Sequence, residues 1–124
     1  MSDEYEITHQ YFYKAKVTSV YDGDTITVDL DLGCNVFKHD EKIRLFGINT
    51  PEVRGDERED GLVSRDWLRE RILGKEIRLQ TIKDKEGKYG RLLGIVVAVA
   101  GEPPLEQSIN DQLVSEGLAK YVDY

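Results

Sequence analysis

The sequence is poor in the residues that cross-link a chain or anchor it in a membrane. It has one cysteine, Cys34, so an internal disulfide is excluded, as is typical of a reducing compartment. No apolar run approaches the roughly 18–20 residues that cross a membrane, so we expect no membrane partner. The N-terminal residues 1–6 are acidic and lack the basic and apolar segments of a signal peptide. These absences predict a cytoplasmic protein.

Internal repeats, low-complexity tracts and linkers are also absent. A chain of 124 residues is long enough for one modest core and too short for two. We therefore predict a disordered N-terminal tail over residues 1–10, a single domain over residues 11–124, and a monomer.

Positive charge is scarce, because 17 Lys and Arg oppose 24 Asp and Glu, for a formal net charge of −7. Nucleic-acid binding normally needs an excess of basic residues, so a long duplex-binding surface is not indicated. The basic residues are concentrated, however. Residues 42–91 carry 13 basic and 10 acidic side chains, whereas residues 1–41 carry 3 and 9. This distribution favours a small local phosphate site.

The pattern of apolar residues predicts five strands and two helices. Asp22-Gly23 indicates a hairpin turn, Gly74 and Gly117 indicate helix ends, and the charged residues 53–60 predict a loop. In the first helix, Val63 and Trp67, then Leu68 and Ile72, are spaced at i, i+4. Ser108, with Asp111 three residues later, is typical of a helix start. The predicted strands are residues 11–20, 25–30, 42–48, 76–82 and 91–99, and the helices are residues 62–73 and 108–116.

Three strands, a helix, two strands and a helix do not alternate as a parallel sheet requires. This order predicts an α+β fold in which five short antiparallel strands close into a β-barrel with two helices, of the oligonucleotide/oligosaccharide-binding (OB) type.

The stretch from Ile43 to Glu52 predicts the most distinctive local structure. Its first half alternates like a strand, and Pro51 forces a turn because it cannot continue a central strand. An arginine in the strand and a glutamate at the turn, Arg44 and Glu52, could handle a phosphate and a cation together. Taken alone, Arg44 could equally be a barrel arginine tied to a structural carboxylate.

Four blocks of residues resemble the staphylococcal-nuclease-like (thermonuclease) family in order and spacing. They are Asp-Gly-Asp-Thr at 22–25, Arg-Leu-Phe-Gly-Ile-Asn-Thr-Pro-Glu at 44–52, Lys-Tyr-Gly-Arg at 88–91 and Gly-Leu-Ala-Lys at 117–120. The resemblance spans residues 11–122. It implies the same five-stranded barrel and a calcium-dependent phosphodiesterase that acts on DNA and RNA and prefers single strands.

The resemblance also implies roles for individual residues. The family's catalytic arginines and glutamate fall on Arg44, Arg91 and Glu52. Its calcium ligands fall on Asp24, on Asn49 and on the backbone carbonyl of Thr50. Positions that contact a terminal phosphate fall on Lys88 and Tyr89, and Tyr121 lies near the position of a base-stacking tyrosine.

The sequence departs from the family pattern in three places. Position 49 is asparagine where the family's archetype has aspartate, the loop after Glu52 is shorter, and the chain ends soon after the second predicted helix. Losing a ligand charge weakens a calcium site. The alternative function is therefore a catalytically silent barrel that binds single-stranded nucleic acid or a protein, and an oligosaccharide-binding barrel is a third possibility.

Overall fold

The computed structural model describes residues 10–82 and 92–122. Five strands close into a barrel in the order β1-β2-β3-β6-β5, and two short strands form a separate pair, β4-β7. The strands are β1 (Gln10–Asp22), β2 (Thr25–Asp31), β3 (Phe37–Leu45), β4 (Ile48–Asn49), β5 (Glu76–Ile82), β6 (Leu92–Val99) and β7 (Lys120–Tyr121). The helices are α1 (Arg58–Ile72) and α2 (Ile109–Ser115). The predicted five-stranded α+β barrel is confirmed.

The core lies inside the barrel and beneath the two helices. Along β2, Ile26, Val28 and Leu30 are buried while the residues between them are partly exposed, the two-residue period of a strand with one face in the core. Helix α1 packs against β1, and α2 packs against β6.

One pairing in the barrel differs from the antiparallel prediction. Strands β3 and β6 run parallel, with Ile43 opposite Leu92 and Leu45 opposite Gly94. A parallel pair needs a long crossover connection, and here α1 and β5 lie between the two strands along the chain. The local pattern of either strand carries no signal of this direction.

Strand β3 ends earlier than predicted. The predicted strand covers residues 42–48, but β3 ends at Leu45, and Gly47 turns the chain with a φ of 81°. This left-handed conformation costs glycine little. Ile48 and Asn49 then form β4, which pairs with β7 instead of continuing in the barrel. The strand also begins earlier than predicted, at Phe37 instead of residue 42.

Helix α1 begins within the predicted charged loop. A 3₁₀ turn, Gly55–Glu57, leads into a helix that starts at Arg58, with Glu59 and Asp60 in its first turn. Acidic residues there interact favourably with the helix dipole, which explains why a charged segment is helical. The prediction of a loop over residues 53–60 is wrong for its second half.

The buried face of α1 matches the prediction only in part, because Leu68 and Ile72 are buried and Trp67 packs against the core, but Val63 does not. It is formed by Gly61, Ser64, Leu68 and Ile72, whereas Val63 is 56% exposed. The start of α2 matches its prediction, because the Ser108 hydroxyl accepts a hydrogen bond of 3.0 Å from the backbone N–H of Asp111.

Of the predicted N-terminal tail, only Gln10 lies within the described residues, where it begins β1. Neither described helix is long and apolar enough to span a bilayer. The predicted monomer and domain limits stay predictions.

Candidate functional site

A cavity of about 700 Å³ opens on the outer wall of the barrel, where β1 and β3 end and β2 begins. Five of the residues singled out in the sequence line it: Asp24, Arg44, Asn49, Thr50 and Glu52. They come from two turns and one strand that are up to 28 positions apart in the sequence. The tertiary structure therefore brings together the predicted catalytic and metal-ligating residues that lie within the described part of the chain.

Strand geometry explains why the polar residues of β3 face this cavity. Ile43 and Leu45 point into the core with no exposed surface, so Lys42 and Arg44 point outwards. Arg44 is directly opposite Thr25 of β2. The arginine therefore sits beside the Asp22-Gly23-Asp24 turn that joins β1 to β2.

The corner after β3 is held by backbone and side-chain hydrogen bonds. Leu45 N–H donates to the carbonyl of Asp24 at 2.8 Å, and Phe46 N–H donates to the carbonyl of Gly94 at 2.7 Å. The buried side chain of Asn110, on α2, donates to the carbonyls of Phe46 and Gly94 at 3.0 and 3.1 Å. The corner is thus held by hydrogen bonds to the β1–β2 turn on one side and to β6 and α2 on the other.

Asp24 is the centre of the polar contacts in the cavity. Its Oδ2 lies 2.8 Å from Arg44 Nη1 and accepts a hydrogen bond of 2.9 Å from the backbone N–H of Thr50. Its Oδ1 accepts a hydrogen bond of 3.2 Å from the hydroxyl of Thr25. Arg44 Nη2 also donates to Asn49 Oδ1 at 3.3 Å. One guanidinium therefore contacts two of the three predicted metal ligands.

Two buried atoms at this corner have no hydrogen-bond partner among the described residues, Arg44 Nη1 and Thr50 Oγ1. Nη1 lies 2.8 Å from Asp24 Oδ2, so this contact is an ion pair without the alignment of a hydrogen bond. Buried polar groups are nearly always paired, and each exception calls for an explanation such as strain, a functional role or a bound water or ion.

Asp22 is a further carboxyl in the cavity wall, and it is 9% exposed. Burial, together with the adjacent Asp24, raises the pKa of Asp22 from its ordinary 3.8 to about 6. Its Oδ1 accepts a hydrogen bond of 3.1 Å from the backbone N–H of Asp24. Asp22 therefore serves the turn, as its sequence context predicts, and also adds charge to the site.

Glu52 lies at the open side of the cavity with an exposed side chain. Its backbone is fixed, because its N–H donates to Glu57 Oε1 at 3.2 Å and its carbonyl packs against α1 at Gly61. A Cβ on Gly61 would lie 2.0 Å from that carbonyl oxygen. The corner that carries Glu52 can approach the helix this closely only because residue 61 has no side chain.

The residues present fit a hard cation by type of donor. A carboxylate, an amide oxygen and a backbone carbonyl, from Asp24, Asn49 and Thr50, are ligands that Ca²⁺ accepts, and the unpartnered Thr50 Oγ1 is a further oxygen at the same corner. The described residues contain no group of three or more His, Cys, Asp or Glu that could hold a metal. The ligand charge is therefore low.

Three of the predicted site residues, Lys88, Tyr89 and Arg91, lie outside the described residues, so their roles stay predictions. Tyr121 is described, and it is not among the residues that line the cavity. It lies on β7, is 62% exposed, and its hydroxyl donates to Asp111 Oδ1 at 3.0 Å. That hydrogen bond raises the pKa of the Tyr121 phenol.

The sequence reasoning missed other residues of the cavity wall. Lys42 was not singled out, although it precedes Arg44 by two positions and therefore shares its face of β3. Tyr21, near the end of β1, is 56% exposed and also lines the cavity. The two-residue period of a strand was the signal that could have found Lys42.

A closed five-stranded barrel with an arginine, carboxylates and an amide in a cavity on its outer wall defines a small OB-type protein with a charged surface site. The family described as staphylococcal nuclease homologue matches residues 42–124, and the chain belongs to this family. A thermonuclease of Staphylococcus hyicus is 30% identical to it over 108 residues. The aligned region covers 85% of this chain and 57% of that thermonuclease, so the chain matches little more than half of its relative.

Proposed function

We propose that this protein is a calcium-dependent nuclease that hydrolyses phosphodiester bonds of single-stranded DNA and RNA. Members of its family are generally nucleases, and the thermonuclease relative supports the same activity. The observation that carries the proposal is the cavity shared by Arg44, Asp24, Asn49, Thr50 and Glu52.

Arg44 binds the scissile phosphate in this proposal. Its side chain is 16% exposed and lines the cavity. A planar guanidinium forms paired, charge-assisted hydrogen bonds to phosphate that a lysine does not reproduce. These bonds stabilise the charge that develops on the phosphate in the transition state.

Glu52 positions or deprotonates the attacking water. Its exposed carboxylate is in contact with solvent, and its fixed backbone holds the side chain at the rim of the cavity that contains Arg44. Proton transfer by a positioned carboxylate contributes typically about 10²–10⁴-fold to a rate.

A calcium ion would be held by Asp24, Asn49 and the carbonyl of Thr50. When bound, it supplies positive charge that polarises the phosphate. Arg44 contacts both Asp24 and Asn49, so the protein's own cation neutralises part of the ligand charge. We therefore propose a weak calcium site, filled at higher calcium concentrations than a site with a second carboxylate at position 49.

The remaining assignments follow the family resemblance. Arg91 is proposed as the second phosphate-binding arginine, and Lys88 and Tyr89 as contacts to a terminal phosphate. Tyr121 is proposed to stack against a base; its ring is largely exposed, as stacking requires.

A binding module without catalysis is the second candidate. One observation favours it: Arg44 occupies the contacts of Asp24 and Asn49 that a cation would use. Such a module would bind single strands without cutting them.

The test is cleavage of a fluorescently labelled DNA single strand with calcium and with chelator. We expect cleavage with calcium alone, and a loss of about 10²–10³-fold in Arg44→Ala, the usual cost of removing a transition-state donor. Arg44→Lys keeps the charge beside Asp24, and we expect it to lose most of the activity as well.

Arg65→Ala is the matched control, because Arg65 lies on α1 and pairs with its neighbour Asp66 outside the cavity. It should cleave like the parent protein. Equal activity of Arg44→Ala and parent would refute the role of Arg44. Binding of the strand without cleavage under any calcium concentration would identify the silent module.

A further inference from the structure

A second surface lies on the same outer wall of the barrel, beyond the catalytic cavity and towards the β2–β3 hairpin. We call it the distal face and define it by Lys14, Lys16, Phe37, His39 and Arg78. Four of these residues, all except Arg78, line a shallow depression of about 220 Å³. Arg78 is directly opposite Lys14 in the register of β1 and β5.

Two rings on this face are exposed and already aligned. Phe37 is 51% exposed, the His39 side chain is 69% exposed, and the rings are stacked at 6.1 Å with an interplanar angle of 18°. A bare stacked pair of rings offers a surface on which a nucleobase can stack, and such stacking tolerates any base.

Two cations on this face oppose each other. Lys14 and Arg78 are exposed, directly opposite residues of antiparallel strands, and neither has an ion-pair partner within the described part of the chain. Like charges in this position destabilise a sheet. An anion between them would remove the repulsion.

Three acidic residues share this depression. Glu76 is directly opposite Lys16 in the register of β1 and β5, and the other two, Asp29 and Asp31, are engaged by the hairpin. Asp29 accepts hydrogen bonds from the backbone N–H of Asp40 and, at 3.2 Å, contacts His39, and these interactions lower the pKa of Asp29. Asp31 accepts a hydrogen bond of 2.8 Å from the N–H of Gly33. The carboxylates of Asp29 and Asp31 are thus partly satisfied. Lys14 is opposite Asp31 in β2 as well as Arg78 in β5, and among the described residues neither of these cations forms an ion pair.

We infer that the distal face binds the same single-stranded nucleic acid that enters the catalytic cavity, with bases on Phe37 and His39 and phosphates near Lys14 and Arg78. The inference rests on the proposed nuclease function. Arg44 and Phe37 are on one strand, about 20 Å apart along β3, and Lys42 lies between them. Single-strand sites on OB folds cover about 4–16 nucleotides, a length that spans this distance.

The first test measures binding with chelator present, so that no strand is cut. The probe is a fluorescent thymidine oligonucleotide of about 12 nucleotides, and a thymidine dinucleotide is the short comparison. We expect the double variant Phe37→Ala/His39→Ala to lose about tenfold or more in affinity for the long probe, and much less for the dinucleotide. Leu73→Ala, an exposed apolar residue that lines neither cavity, should bind both probes like the parent.

The second test separates a binding role from a structural one. Arg78→Gln should weaken binding of the long probe and reduce the slope of log K against log salt by about 0.7, the value for one phosphate contact on a single strand. Its folding stability should not fall, because a like-charge repulsion is removed. Arg65→Gln removes an arginine elsewhere on the surface and should leave the slope unchanged.

Equal affinity of the double variant and the parent for the long probe overturns the inference. Equal losses for the long probe and the dinucleotide also overturn it, because they indicate a defect in the cavity. If the protein binds the long probe as expected but cleaves nothing, the distal face is supported while the proposed nuclease function fails.

Discussion

The two faces of β3 differ in how deeply their side chains are buried and in how completely their polar groups are hydrogen-bonded. On the inner face, Ile43 and Leu45 have no exposed surface and contact other core residues. On the outer face, Arg44 contacts Asp24 and Asn49, yet one of its buried nitrogens has no hydrogen-bond partner. Alternating side chains of one strand are therefore either packed in the apolar core or placed in polar contacts on the outer wall.

The difference indicates where stability and function reside. The inner face is packed as a core must be, so changes there should affect folding before they affect chemistry. The cavity beside the outer face contains the buried carboxyl of Asp22, whose pKa is raised. It also contains two buried polar atoms without a hydrogen-bond partner among the described residues, Arg44 Nη1 and Thr50 Oγ1. Groups that are left unsatisfied cost stability, and they are found mainly at sites that bind something.

The largest expected effect is on the inner face. Leu45→Ala removes a fully buried side chain and should lower the free energy of unfolding by about 2–5 kcal/mol, from lost burial and the cavity left behind. Urea denaturation measures it. Val63→Ala, at an exposed position of α1, should change stability by at most about 0.5 kcal/mol. A loss below about 1 kcal/mol for Leu45→Ala would contradict the described packing.

The second change is at Gly61, where α1 packs against the corner that carries Glu52. Gly61→Ala would stabilise an open helix by about 1 kcal/mol. Here the new Cβ would lie 2.0 Å from the carbonyl oxygen of Glu52, so we expect a destabilisation of about 1–3 kcal/mol and a lower cleavage rate, because the corner that carries Glu52 must move.

Thermal unfolding and the cleavage rate at saturating substrate measure the two effects of Gly61→Ala. Glu59→Ala, an exposed substitution in the same helix, is the control for helix propensity. A Gly61→Ala variant that is more stable than the parent would show that Glu52 is not seated against the helix.

The third change removes the charge of the buried Asp22 carboxyl. The folded-state pKa of Asp22, about 6, lies above its ordinary 3.8, so the folded protein holds this proton more tightly than the unfolded chain. The stability that this group contributes is present below about pH 4 and is lost as the pH rises through 6. Asp22→Asn keeps an oxygen acceptor for the Asp24 N–H and should be more stable than the parent by on the order of 2 kcal/mol at pH 7.

The measurement is urea unfolding at pH 4 and pH 7 with chelator present. The gain from Asp22→Asn should vanish at pH 4, and Asp56→Asn, at an exposed position, should show no gain at either pH. A gain of equal size at both pH values would rule out the protonation of Asp22 as its cause.

The smallest expected effect is on the affinity of the calcium site. Asn49→Asp adds a carboxylate beside Arg44 and Asp24, and more ligand charge strengthens calcium binding. We expect the calcium midpoint of cleavage to fall several-fold, equivalent to about 1 kcal/mol. A calcium titration of both proteins measures it, and an unchanged midpoint would contradict the argument from ligand charge.

Local patterns were sufficient for most of the fold. The alternation of Ile26, Val28 and Leu30 predicted a half-buried strand, and Ser108 with Asp111 predicted the start of α2. Such features depend on residues a few positions apart, so they can be read without the rest of the chain. Motif spacing added the family, which the match over residues 42–124 confirms.

Patterns failed where distant segments decide the outcome. The spacing wrongly placed Val63 on the buried face of α1, because Gly61 and Ser64 pack there against the corner at Glu52 and the C-terminal segment. Neither glycine nor serine is apolar, so a periodicity of hydrophobic residues does not detect them. The contact of Arg44 with both Asp24 and Asn49 was likewise beyond a reading of single motifs.

The sequence by itself determined most of the element types and the five-stranded barrel, since propensity and period are local properties, and its resemblance to a family supplied the residues to test. Only the tertiary structure decided that β3 pairs in parallel with β6, that α1 buries its small residues, and that Asp22 is desolvated beside Asp24. Each of these depends on the free energy of contacts between segments far apart along the chain, which no local pattern contains.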